Sequence, residues 1–200
     1  AIRDSSDALL VLINDILDVS KIEAGKFELH EADFSMQGLI ENIKSTVQQK
    51  ADEKGIKLII NNNLKQDFYI GDALRIQQIL LNIIFNAIKF TNSGGEIRLT
   101  YREDKEYHYV EVQDNGVGMP AGILKTLFTN STISMAGTEN EVGTGLGLSI
   151  CKEFISKQDG DLKVKSEENK GSVFSIVLPK EETLKKIKKM RNLLPGQTES

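Results

Sequence analysis

Apolar and polar positions divide the chain into alternating helical and extended stretches. Within residues 1–22, Leu9, Leu10, Leu12, Ile13, Ile16 and Leu17 fall on one broad arc at helical spacing, with Asp15 and Asp18 opposite. That pattern predicts one long amphipathic helix, ended by Gly25. Residues 27–34 alternate loosely, as a short strand does. Ser35 is placed to cap a helix running to about Glu53 and closed by Gly55. Strands are expected at 57–61 and 68–70, then a strongly apolar helix over 72–90 and a turn at 92–95. Residues 96–102 and 107–113 alternate as a strand pair, and Pro120 suits the first turn of a short helix to about Phe128. Residues 129–142, rich in Thr, Ser, Asn, Gly and Glu, lack periodicity and read as a mobile loop. A helix over 145–157, strands at 161–165 and 172–178, a helical extension over 181–191 and a frayed end at 195–200 complete the reading. The predicted fold is α/β: a mixed sheet covered by helices on one face, preceded by one long helix.

Composition narrows the class. A chain of 200 residues can bury roughly 70% of its unfolded surface and needs no disulfide or metal to hold it. With 40% apolar and 27% charged residues it is not disordered, collagen-like or disulfide-rich. Its longest apolar runs, such as residues 8–13, fall far short of the ~20 residues that span a bilayer. No basic-then-apolar signal segment opens it. The net charge of −4 predicts neither a nucleic-acid partner nor membrane contact; the one basic cluster, Lys185, Lys186, Lys188, Lys189 and Arg191, lies near the C-terminus. A single cysteine, Cys151, fits a reducing compartment, so the expected location is cytoplasmic, in a parent protein that is itself open to membrane anchoring. His30 and His108 are the only histidines, and Phe34 stands where the second histidine of a zinc-protease helix would follow His30.

Three segments carry candidate chemistry. On the helix over 72–90, Arg75, Gln78, Asn82, Asn86 and Lys89 share one narrow stripe in an otherwise apolar surround. A thin solvated face is the plainer explanation, but such faces usually carry Glu and Lys, and Asn is a poor helix former. Two Asn amides one turn apart suggest the lining of a pocket. In Val110-Glu-Val-Gln-Asp114-Asn-Gly116-Val-Gly118, strand alternation puts Asp114 on the side of Val110 and Val112, at the end of a buried face. Asp-Asn-Gly is also a common turn, yet here it leads to a helix rather than to a second strand. A carboxylate held there needs a donor, for which a purine amine is one candidate. Gly143-Thr-Gly145-Leu-Gly147-Leu leads into a helix whose free N–H groups suit phosphate. It lacks the strand and spacing of the dinucleotide fingerprint and the Gly-Lys-Ser/Thr of a P-loop.

In this order and spacing the segments resemble the catalytic domain of sensor histidine kinases, within the GHKL group of ATP-binding proteins. The resemblance runs from Leu17-Asp-Val-Ser-Lys-Ile-Glu-Ala-Gly25 through Arg75-Ile-Gln-Gln-Ile-Leu-Leu-Asn82-Ile-Ile-Phe-Asn86-Ala-Ile-Lys89-Phe-Thr to Ser172-Val-Phe-Ser-Ile-Val-Leu-Pro179. It implies a two-layer α/β sandwich that binds ATP with Mg²⁺. Asn86 would ligate the metal, and Asn82 and Lys89 would face the phosphates as the catalytic residues. Asp114 would accept from the adenine amine, with Gly116 and Gly118 letting the base approach. Residues 129–142 would form the ATP lid, with Gly143, Thr144, Gly145, Leu146 and Gly147 as its hinge and phosphate contacts. Leu127-Phe128 matches the start of the family's F box, whereas Ser131 replaces its second Phe.

The family's phosphoacceptor lies in a His-Glu/Asp-x-x-x-Pro segment, and neither His30 nor His108 stands in such a context. The resemblance therefore implies a piece of a longer kinase. Residues 1–26 would be the second helix of a dimerisation and phosphotransfer domain, 27–180 the ATP-binding domain, and 181–200 a basic tail or linker. Its partners would be the acceptor helix of the same kinase, a response-regulator receiver domain and a second copy of the chain paired through the N-terminal helix. Two alternatives stay open: a GHKL-type ATPase, against which Asn82 stands where the hydrolases carry a water-activating Glu, and a non-enzymatic nucleotide-binding relay module.

Overall fold

The computed structural model describes residues 13, 16–18, 20–22, 24–63, 67–128, 137–139, 145 and 147–193. Residues 13, 16–18 and 20–22 are helical and are called α1. The element order continues β1 (Ala32–Ser35), α2 (Met36–Glu53), β2 (Lys57–Asn62), β3 (Phe68–Gly71), α3 (Ala73–Phe90), β4 (Glu96–Glu103) and β5 (Tyr107–Asp114). It closes with α4 (Ala121–Thr126), α5 (Gly147–Lys157), β6 (Asp161–Glu167), β7 (Gly171–Pro179) and α6 (Glu181–Leu193).

Five strands form a mixed sheet in the order β2-β4-β5-β7-β6, with β2 and β4 parallel and the other pairs antiparallel. β1 and β3 make a separate antiparallel pair. The strand expected over 27–34 begins only at Ala32; residues 26–31 are irregular and hold no ladder. β1 is fixed from outside the segment, by its register with β3.

Helices α2, α3 and α5 cover one face of the large sheet, with α3 between the other two and over β5. On that face β4 and β5 bury Ile97, Leu99, Tyr101, Val110 and Val112, while the intervening residues are exposed or half-buried. α3 buries Ile76, Ile79, Leu80, Ile83, Ile84, Ala87 and Ile88. At about 1.5–3 kcal/mol for each large side chain removed from water, this helix is the main contributor to the core. Phe85, on the same apolar helix, is 37% exposed.

Helix ends are held by side chains. Ser35 accepts from Gly38 N at 2.8 Å and starts α2, as its position predicts. Asp72 caps α3 by accepting from Arg75 N at 3.1 Å, and its second oxygen accepts from His30 N at 3.1 Å. The last carbonyls of α3 take the buried ammonium of Lys54, at 3.0 Å from Ile88 O and 2.9 Å from Lys89 O. A cation at a helix C-terminus offsets the partial negative charge that gathers there. α6 packs Thr183 and Leu184 inward and pairs Lys188 with Glu31 at 2.8 Å and Arg191 with Asp159. Among the described residues no helix is long and apolar enough to cross a membrane.

Candidate functional site

Three elements meet at the C-terminal half of α3. The Asn86 amide donates to Asn82 Oδ1 at 2.9 Å, so the two side chains lie along one line of the helix, both half-buried. This bond commits the Asn86 NH₂ and leaves the Asn86 oxygen for an electropositive group. Gly147, the first residue of α5, packs so tightly on Asn82 that a Cβ there would overlap its amide. The start of an 11-residue helix thus faces the Asn pair, with no acidic residue in its first turn. Unbonded N–H groups and the positive end of a helix dipole beside neutral amides suit an anion. Lys89 follows one turn further on, its Nζ 4.9 Å from the centre of the Phe90 ring.

The end of β5 supplies the acid. Asp114 is 5% exposed, and its Oδ1 accepts from Gly116 N at 2.9 Å and Ser172 N at 3.2 Å. Among the described residues its Oδ2 receives no hydrogen bond, so this oxygen is open to a donor. Burial pushes the carboxyl above its ordinary value, and the two N–H bonds oppose that rise. Val117 N donates to Phe90 O at 3.0 Å, which sets the loop after β5 against the end of α3. Lys89, Asn86, Asn82 and Asp114 are therefore carried by elements that meet around the end of α3.

Other placements differ. Arg75 and Gln78 belong to the same stripe of α3 but do not reach this region. Arg75 Nη1 and Gln78 Nε2 bind the carboxylate of Asp18 on α1, at 3.0 and 3.1 Å. Gly116 and Gly118 lie in the loop after β5, but the close approach they permit is to the protein itself. A Cβ at Gly116 would overlap Phe90 O, and one at Gly118, where φ is +64°, would overlap Glu167 O. Gly145 stands just before α5 with φ +75°. Gly143, Thr144 and Leu146 lie outside the described residues, as does the expected loop 129–142 apart from 137–139. There Thr138 donates from N and Oγ1 to Lys89 O at 3.1 and 3.2 Å, tying that stretch to the end of α3. Leu127 and Phe128 pack against the core.

Ser172 and Ser166 were not legible as site residues. Ser172 faces Asp114 across the β5–β7 register, and its hydroxyl lies 2.9 Å from that of Ser166. Ser166 Oγ also accepts from Met119 N at 2.9 Å, which pins the loop carrying Gly116 and Gly118. The only sequence signal was small polar residues on strands that otherwise alternate apolar, and it has meaning only once the register is known.

Residues 71–182 match the family described as histidine kinase-, DNA gyrase B- and HSP90-like ATPases. The chain belongs to this family. It is 43% identical over 184 residues, 89% of its length, to hybrid signal transduction histidine kinase B of Dictyostelium discoideum. Its fold is similar to that of full-length ShkA in complex with AMPPNP, with TM-score 0.76 and 30% identity over 90% of this chain. It is similar also to histidine kinase ThkA in complex with the response regulator protein TrrA, with TM-score 0.66 and 25% identity over 86% of this chain. The chain spans 9% of the Dictyostelium protein and 37% and 49% of the two crystallised chains. The region around α3, β5 and α5 thus lies in an ATP-binding domain of this family, similar in fold to the catalytic domain of histidine kinases.

Proposed function

We propose that this domain binds Mg-ATP and passes the γ-phosphate to a histidine on the acceptor helix of its kinase. The observation that carries the reading is the Asn82–Asn86 pair set against the N-terminus of α5, one strand end away from the buried Asp114. Asp114 accepts from the adenine amine, while guanine would present an oxygen and be repelled. Lys89, Asn82 and the glycine-rich segment of Gly143, Thr144, Gly145, Leu146 and Gly147 hold the phosphates. Gly116 and Gly118 shape the loop beside the base.

Mg²⁺ fits the donor set. Asn86 offers one neutral oxygen, and no group of three or more His, Cys, Asp or Glu that could cage a metal exists among the described residues. A hard cation that keeps several waters and is shared with phosphates suits such a site. When bound, it would neutralise charge on the phosphate oxygens. Asn82 cannot accept a proton from water as a Glu would, and its oxygen is occupied by Asn86. This favours a histidine nucleophile over hydrolysis. The imidazole nitrogen bonds to the γ-phosphorus as the bond to the bridging oxygen breaks and ADP leaves.

Residues 1–26 act as the second helix of the dimerisation and phosphotransfer domain, and 181–200 as a basic tail or linker whose first part is α6. A pairing of two copies through α1 is supported by Ile13, Ile16 and Leu17, which are 45%, 54% and 51% exposed. A receiver domain is the onward acceptor, as the ThkA complex with a response regulator suggests. Calorimetric titration tests the site: Mg-ATP should bind, and GTP should bind far more weakly. Equal titration curves for ATP and GTP would reject the assignment.

A further inference from the structure

Among the described residues of α1, Asp18 is buried, 7% exposed, and Ile22 packs partly buried against the core, while Ile13, Ile16 and Leu17 face out. The Asp18 carboxylate receives both Arg75 Nη1, at 3.0 Å, and Gln78 Nε2, at 3.1 Å; Arg75 Nη1 also donates to Gln78 Oε1 at 2.9 Å. The Arg75 guanidinium lies 5.2 Å from the centre of the Phe27 ring and 4.7 Å from that of Phe154. Those two rings stack on each other at 5.0 Å. Arg75 therefore gathers four parts of the chain at one point: α1 through Asp18, the irregular stretch before β1 through Phe27, α5 through Phe154, and its own helix α3. None of this touches the Asn82–Asn86 end of α3, which lies about 10 Å further along the axis.

We propose that Asp18, Arg75 and Gln78 form an orientational latch that sets the position of α1 against the ATP-binding layer. Part-buried charge-assisted bonds add little net stability, because desolvation offsets much of the attraction, but their geometry is narrow. A planar guanidinium fixed by two rings and two oxygens has one direction in which to present its N–H groups. The contact therefore specifies an angle while remaining breakable. Asp18 and Arg75 are positioning residues in this account, acting on where the ATP site is carried and not on nucleotide itself. The inference does not depend on the transfer chemistry proposed above.

The test uses the full chain with spin labels on Lys21→Cys and Lys165→Cys, both exposed positions; Cys151 is buried and stays unlabelled. The native sequence should give one narrow distance distribution. Asp18→Asn, which changes charge but scarcely volume, and Arg75→Gln should each broaden it by about twofold or more. Asp18→Glu, which keeps the carboxylate, should leave it narrow. Mg-ATP affinity should stay at its native value in all three variants and each should melt cooperatively, separating loss of aim from loss of fold. A native-like narrow distribution in Asp18→Asn would overturn the proposal, as would broadening in Asp18→Glu equal to that in Asp18→Asn.

Discussion

A carboxylate at a strand end, almost closed off from solvent and bonded through one oxygen to two backbone N–H groups, is costly to keep ionised. Asp114 is such a group, and burial raises its pKa above the ordinary value. With the folded pKa raised, the folded state holds the proton more tightly than the unfolded one. Stability is therefore present below the ordinary carboxylate pKa and falls as pH rises through the folded value. Asp114→Asn should leave the nucleotide-free fold at pH 7 as stable as the native one or more so, measured by thermal melting. The same change should weaken ATP by ~1.5–3 kcal/mol, about ten- to a hundredfold, in a titration. The opposite sign applies at His108. It is buried against Tyr69, with ring centroids 4.0 Å apart, and desolvation, then Lys180, lowers its pKa to about 4. The unfolded chain takes up the proton first, so stability falls as pH drops from 6.5 toward 4, on the order of 3 kcal/mol in all. Its Nδ1 is buried without a hydrogen bond, so His108→Phe forfeits none there and should flatten that slope in melts taken across the range.

Glycines at element junctions separate structural from ligand-facing demands. At Gly116 an added Cβ meets the backbone of α3, which cannot give way, whereas at Gly147 it meets the Asn82 side chain. Gly116→Ala should destabilise by about 1–3 kcal/mol, as other overpacked sites do. Gly147→Ala should cost less stability but displace Asn82 and weaken Mg-ATP, so melting and titration should rank the two variants in opposite orders. The elements themselves were largely legible. Ser35, Asp72 and the apolar spacing of α2 and α3 are local signals, and helix starts follow from them. Asp114 was legible because strand alternation fixes its side. Residues 27–31 alternate as a strand does but hold no ladder, because pairing, not local pattern, decides where β1 begins. The stripe on α3 is one surface by spacing, yet it serves two contacts. Its first turn meets Asp18, and no periodicity within α3 could report a partner on α1. Ser166 and Ser172 acquire meaning only through the register that brings them to Asp114.

At the scale of the molecule, ATP site and candidate phosphoacceptors are kept apart. His108 is 4% exposed and sits at the opposite end of β5 from Asp114. His30 lies beside Asp72 at the N-terminus of α3, about 20 Å along the axis from Asn86 at 1.5 Å per residue. Neither can approach a γ-phosphate held between Asn86 and α5 in the same molecule. An imidazole supplied in line with that phosphate needs mainly positioning to react. The deciding measurement is transfer of γ-labelled phosphate from Mg-ATP, first with this chain alone and then with a separate domain carrying the family's acceptor helix pair. The account predicts no acid-labile label on the chain alone, slow release of free phosphate, and acid-labile label on the added domain. Label on the chain itself would contradict it, as would an unlabelled acceptor domain under conditions where an intact kinase of the family labels its own.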